Sequence, residues 1–289
     1  YSRTAIPCAS ASGDGAGSLA GLARRGGRAE RVSFKESDAG MAIGRSAIMT
    51  RDEVRVVLVT GGAKRVGAAI VKRLHSEGWR VAIHYRASAA QANELSGALN
   101  ALRHNSACVF SADLNDVSAL PTLVANVVDK FGQLDALVNN ASTFYPTAVG
   151  DITTRDWDQL TGSNLQAPLF LSQAASPHLK LSKIDGGGSI VNITDIHAER
   201  PMAGYVVYNI AKAGLRGLTY ALARDLAPQV RVNAVAPGPI EWPEDGQITA
   251  AERTRILQHV PLKREGGAAQ IAEAVKYLIC DASFVTGQT

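Results

Sequence analysis

A doubly wound α/β fold, one parallel sheet covered by helices on both faces (Rossmann-type), is what this 289-residue sequence predicts. Two observations lead to it. From Val54 on, short apolar strands alternate with amphipathic helical stretches, the pattern of a parallel sheet joined by right-handed crossovers. A glycine-rich turn, Thr60-Gly61-Gly62-Ala63-Lys64-Arg65-Val66-Gly67, lies between the first strand and the first helix.

The elements follow in order. Residues 54–60 form an apolar strand and 68–77 a helix. Strand 80–85, helix 89–104 and strand 107–111 come next, then helix 120–131 and strand 136–139. A long helix runs through 157–175, followed by strand 189–193, helix 205–226 and strand 231–236. Helix 268–279 closes the series. Before it, residues 239–260, with Trp242, Pro243, Glu244, Asp245 and Gly246, read as a long polar loop. Loops of that length are often lids, and this one is expected to close over substrate and set specificity. No internal repeat is evident.

Hydrophobic residues make up 46% of the chain and charged residues 19%, enough for one large core. The net charge is +4, and no Lys/Arg run is dense enough for a nucleic-acid groove. Cys8, Cys108 and Cys280 are far apart and form no C-x-x-C pair. They support neither a disulfide framework nor a metal site, and they fit a reducing compartment. No run of about 18 apolar residues is present, so no membrane helix is expected.

Residues 1–53 are rich in Gly, Ala, Ser and Arg and lack periodicity, which predicts a disordered or non-native leader. A transit peptide would be poor in acids; Asp14, Glu30, Glu36 and Asp38 count against one. Met41 or Met49 is then the expected true start, residues 54–289 the functional domain, and the cytoplasm the default location. An endogenous N-terminus upstream of Met41, found by mass spectrometry, overturns this expectation.

A glycine turn after the first strand lets phosphate approach backbone N–H groups at a helix N-terminus. The end of the second strand distinguishes the cofactors. NAD needs an Asp or Glu there for the ribose 2′-hydroxyl. His84-Tyr85-Arg86-Ala87-Ser88 offers no acid, whereas Arg65, Arg86 and Ser88 suit a 2′-phosphate. NADP(H) is therefore the expected cofactor; a solvated surface charge is the alternative for Arg86 alone. Tyr208 and Lys212 lie at i and i+4, on one helix face. A phenol titrates near ~10, and a neighbouring cation would lower that value. Asp195 precedes Tyr208 by 13 residues. His84 and His197 have no partner at metal-ligand spacing, and no metal is expected.

These motifs resemble the short-chain dehydrogenase/reductase family in order and across most of residues 54–289. They comprise Thr60-Gly61 with Gly67, Asp113 with Leu114 after the third strand, Asn139-Asn140-Ala141, Asn164, Tyr208 with Lys212, and Pro237-Gly238. Three departures are informative. Arg65 replaces the usual middle glycine, Asp195 replaces the usual catalytic Ser, and the Asn-Ala motif continues Ser142-Thr143-Phe144-Tyr145-Pro146. Together these resemble pteridine reductases, NADPH-dependent reductases of dihydropterins and sometimes folates.

The resemblance implies roles. Gly61, Arg65, Val66, Gly67, His84, Tyr85, Arg86, Ser88, Asp113, Leu114, Asn139, Ala141, Tyr208, Lys212, Pro237 and Gly238 would hold the cofactor. Phe144 would stack on the pterin, and Arg65, Asp195 and Tyr208 would touch it. Asp195 and Tyr208 would deliver the proton, Lys212 would hold the nicotinamide ribose, and Asn164 would position a water. The plainer alternatives are a turn or cap for Asp195 and Asp113, and core packing for Phe144.

Val285-Thr286-Gly287-Gln288-Thr289 resembles the family's lead-in to a last strand, which is absent. An exposed sheet edge is expected, with weakened assembly of the family's homotetramer; a stable tetramer with normal melting overturns this. Two other functions remain open at this point. One is reduction of a 3-oxoacyl thioester or simple ketone, the other a non-catalytic NADP(H)-binding regulator.

Overall fold

The computed structural model describes residues 54–242 and 249–289. The expected leader at 1–53, with both candidate start methionines, lies outside the described residues, as do Pro243, Glu244, Asp245 and Gly246.

Six parallel strands form one sheet in the order β3-β2-β1-β4-β5-β6. They are β1 (Val56–Val59), β2 (Arg80–Tyr85), β3 (Ala107–Ser111), β4 (Ala136–Asn139), β5 (Gly188–Ile193) and β6 (Val230–Val235). Order reverses between β1 and β4, so a crevice opens there at the strands' C-terminal ends.

Each strand feeds two cores because its residues alternate between faces. Val57 and Val59 of β1 pack under α1 (Arg65–Ser76), α2 (Ala89–Leu102) and α8 (Ala268–Lys276). Val56 and Leu58 pack under α3 (Leu120–Phe131), α5 (Ala167–Leu179) and α6 (Val206–Asp225). Both layers are apolar, which is why these strands read as continuous runs.

The predicted long helix is two. α4 (Thr154–Thr161) and α5 are separated by a π-helical turn, Gly162–Gln166. Pro168 has no N–H to donate to the carbonyl of Asn164, and the backbone widens just before it. Gly162 packs closely there: a Cβ would meet the Asn115 side-chain oxygen. A second correction concerns the polar loop: it contains α7 (Ala250–His259). Thr249 and Glu252 form a reciprocal capping box that starts this helix.

Beyond β6, Gly287 N–H donates to Val232 O (2.8 Å) and Ala234 N–H donates to Gln288 O (2.8 Å). The Asn233 side chain bonds Val285 O and Gln288 N–H. The edge of β6 is therefore occupied along these residues, although the sheet counts six strands among the described residues.

Arg231 in β6 is 5% exposed and has four carbonyl acceptors, those of Gly186, Leu278, Ile279 and Ala282, at 2.6–3.1 Å. It ties the C-terminal end of α8 and its π-helical extension (Tyr277–Asp281) to the sheet. Arg231→Met fills the volume but leaves those carbonyls without donors. We expect a loss of about 3 kcal/mol, roughly 5–10 °C in Tm by calorimetry; an unchanged Tm contradicts that role.

Candidate active site

The crevice is a cleft of about 490 Å³ walled by the segments that leave all six strands. At one end is the glycine turn. Gly61 has φ +61°, a conformation glycine adopts freely. Its N–H donates to His84 Nδ1 (3.1 Å), while His84 Nε2 lies 3.2 Å from Ala112 O. That pairing fixes the neutral tautomer with hydrogen on Nε2, and burial lowers the His84 pKa in the same direction. His84 thus shapes the cleft wall with both nitrogens already engaged.

Gly67 opens the way into α1. A Cβ there would fall on Gly61 O and 2.7 Å from Asn140 Nδ2. Arg65 adopts φ +49°, the left-handed region that disfavours side chains. The family's usual glycine is explained by that backbone, and an arginine is held there at a cost. No side chain caps α1 and no acid occupies its first turn, so its N-terminal N–H groups remain available to an anion. Arg86 and Ser88 line the cleft from the end of β2, and Ser88 makes no side-chain cap bond to α2. The glycine cradle, the uncapped helix and the cationic, acid-free strand end fit a phosphate-bearing dinucleotide.

At the other end lies the acid–base group. Asp195 follows β5 in extended conformation. Its Oδ1 accepts from His197 N–H (2.9 Å) and its Oδ2 from the Tyr208 hydroxyl (2.7 Å). Lys212 is 2% exposed, donates to Ile193 O (2.9 Å), and lies 5.7 Å from the Tyr208 ring centroid. Phe144, 38% exposed, stacks on Tyr205 (4.7 Å) and meets Tyr208 edge-on (4.9 Å).

The Tyr208 pKa shifts in the direction opposite to the expected lowering. Burial raises it, and the Asp195 carboxylate raises it further, as neighbour and as hydrogen-bond acceptor. The phenol is therefore a held proton donor. Burial also lowers Lys212 to about 8, against a smaller opposing pull from Asp195. Its ammonium is present below that pH and lost above it. An unfolded lysine titrates near ~10.4, so between the two values the unfolded chain holds more protons and stability rises with pH. We expect kcat/KM to fall as pH rises through about 8, a limb that Lys212→Met abolishes; a flat profile to about pH 10 contradicts the need for the ammonium.

Most of the predicted site residues come together here. Gly61, Arg65, Val66, Gly67, His84, Tyr85, Arg86, Ser88, Asp113, Leu114, Ala141, Asp195, Tyr208, Lys212 and Pro237 all line the cleft. Asp113 also accepts from Asn115 N–H (3.0 Å), as its plainer reading as a turn residue required. Gly238 and Phe144 stand outside the lining. Asn139 also stands outside the lining: its buried amide donates to Asn192 (2.9 Å), and the next residue takes the opposite face. That residue, Asn140, lines the cleft and braces the glycine turn through Thr60 O (2.8 Å).

Asn164, 1% exposed, spends its amide on Ser142, Thr143 O and Leu160 O. The Ser142 hydroxyl donates to Asn164 Oδ1 (2.7 Å), which ties Asn164 to the cleft-lining segment that follows β4. Asn140 and Ser142 stood inside motifs already noticed. Glu241, bonded to Arg65, carried no sequence signal at all.

Residues 61–289 match the family model described as enoyl-(acyl carrier protein) reductase. The chain is 37% identical over 269 aligned residues to pteridine reductase 1 of Leishmania tarentolae, covering 80% of this chain and 92% of that protein. It is 34% identical over 241 residues to a ketoacyl reductase of the granaticin polyketide synthase of Streptomyces violaceoruber (82% and 93% covered). A 3-oxoacyl-(acyl-carrier-protein) reductase of Staphylococcus aureus is 32% identical over 234 residues (80% and 94% covered). Fold and site define an oxidoreductase that works with a nicotinamide cofactor. The chain belongs to the short-chain dehydrogenase/reductase family.

Proposed function

We propose that this protein is an NADPH-dependent reductase of dihydropterins, with dihydrofolate-type substrates a possible extension. The observation that carries this reading is the 2.7 Å bond from the Tyr208 hydroxyl to Asp195, a carboxylate where ketone reductases of the family carry a hydroxyl. The resemblance to the Leishmania tarentolae pteridine reductase supports it.

A reduced nicotinamide supplies hydride to the carbon of a C=N bond. The chain's residues handle the proton that the adjoining nitrogen requires. Tyr208 holds it, and Asp195, accepting from that phenol, offers a carboxyl that can relay protons and accept from amino-pterin donors. Lys212, fixed by Ile193 O, supplies positive charge beneath the pair and a donor for the ribose. Phe144 stacks on Tyr205 and meets Tyr208, and its 38% exposure would let a flat heteroaromatic ring reach it. Arg65, Arg86 and Ser88 would hold phosphate, which favours NADP(H) over NAD(H).

The match to ketoacyl reductases favours a second reading, reduction of a 3-oxoacyl thioester. Oxidation of NADPH with dihydrobiopterin, beside acetoacetyl thioester and a no-substrate control, separates the two. Turnover with the pterin alone is expected; turnover with the thioester alone overturns the pterin reading. Cytoplasmic residence belongs to the same proposal, as does a homotetramer for a chain whose last strand is complete. Trp157, Leu169, Ile210 and Tyr220, exposed on α4, α5 and α6, support assembly. Cys108 and Cys280, both free, fit a reducing compartment.

A further inference from the structure

We infer that Glu241 is an internal competitor for the phosphate-binding arginine, and that it positions Arg65 and sets cofactor affinity. The inference rests on the nicotinamide-dinucleotide reading of the cleft.

Arg65 points its guanidinium across the cleft mouth to the segment that follows β6. Nε donates to the Glu241 carboxylate (3.2 Å) and Nη2 to the Glu241 carbonyl (3.3 Å). The same arginine begins α1, whose N-terminus has no capping side chain and no acid of its own. Glu241 therefore brings a negative charge to the region where a dinucleotide's phosphates would approach.

Glu241 is held there from both sides. Pro239 O and Ile240 O accept from Gly266 N–H (3.0 Å) and Gly267 N–H (3.2 Å). Trp242 lies under the Arg253 guanidinium of α7 at 5.5 Å. The carboxylate is thus presented to Arg65 by a fastened strip of chain that joins β6 to α7. The two phosphates of a dinucleotide together carry more charge than one carboxylate and offer oxygens in the geometry a guanidinium prefers. Arg65 exchanges partners when they arrive. Glu241 is then left beside like charge, which drives residues 239–242 away from the turn. By reciprocity, whatever draws those residues outward tightens the cofactor.

The test is calorimetric titration with NADPH of four proteins: wild type, Glu241→Gln, Arg65→Gly and the double variant. Glycine suits the left-handed position 65, so the arginine can be removed without new backbone strain. Glu241→Gln is expected to lower Kd roughly two- to fivefold, the range of an exposed ion pair. In the Arg65→Gly background the same change is expected to leave Kd unaltered. An unchanged or weaker Kd in Glu241→Gln overturns the inference. So does a tightening of equal size without Arg65, since a general field effect would then explain it. No binding in any of the four overturns the cofactor reading, and this inference with it.

Discussion

Replacing Tyr208 with Phe is expected to lower turnover about 10²- to 10⁴-fold while leaving cofactor Kd unchanged. The substitution removes one atom. The ring keeps its edge contact with Phe144 and its place above Lys212. What disappears is the hydroxyl that donates to Asp195, and with it the proton source of the cleft. Asp195 retains the His197 N–H, so the local backbone stays anchored. Stability should change by no more than about 1 kcal/mol, the ordinary worth of one hydrogen bond. Steady-state kinetics beside NADPH titration reads both quantities. A loss below tenfold removes Tyr208 from proton delivery. Retained binding with lost turnover excludes a purely regulatory, non-catalytic protein. Asp195→Ala is the companion variant: if pterin reduction survives it untouched, the carboxylate is only a turn residue.

Gly67→Ala is expected to damage both folding and cofactor binding. Its Cβ would land on Gly61 O, an atom that cannot yield. Gly61 is fastened to His84 through its N–H, and its carbonyl takes the Asn140 amide (3.2 Å). The turn would have to open, at a cost of about 3 kcal/mol or more. An opened turn also withdraws the α1 N-terminus from the phosphates. We expect at least tenfold weaker NADPH binding together with a lower Tm. Gly97→Ala is the control: it lies in α2 with nothing within 4 Å of a new Cβ. There a gain of roughly 0.5–1 kcal/mol is expected. Equal effects at the two positions would show that close packing of the turn is not what requires Gly67.

The two glycines illustrate how far sequence goes. The motif marks Gly67 as part of a turn, but only packing shows that one glycine touches backbone and the other solvent. The sheet was legible because burial on both faces writes continuous apolar runs, and strands Arg80–Tyr85, Ala107–Ser111 and Ala136–Asn139 coincide with the reading to the residue. The break after Thr161 was not, because it depends on Pro168 and on Asn115, a residue distant in sequence that abuts Gly162. The start of α7 was written in Thr249 and Glu252, but a polar helix with no buried residue lacks the apolar stripe by which helices are recognised.

The sequence alone determined the doubly wound fold, the glycine turn, the missing acid after β2 and the Asp195–Tyr208–Lys212 set. Residue type and spacing suffice for the first three, each a local requirement of backbone or chemistry; Asp195 joined its set through the family resemblance, since locally it reads as a turn or cap. Only the tertiary structure decided which of Asn139 and Asn140 faces the cleft, and that Asn164 is tied to Ser142 and Thr143. It also decided that Arg65 is held by Glu241, and that the Tyr208 phenol is kept protonated rather than acidified. Those outcomes depend on distance, burial and the order in which charges compete, and these quantities exist only once remote segments are packed together.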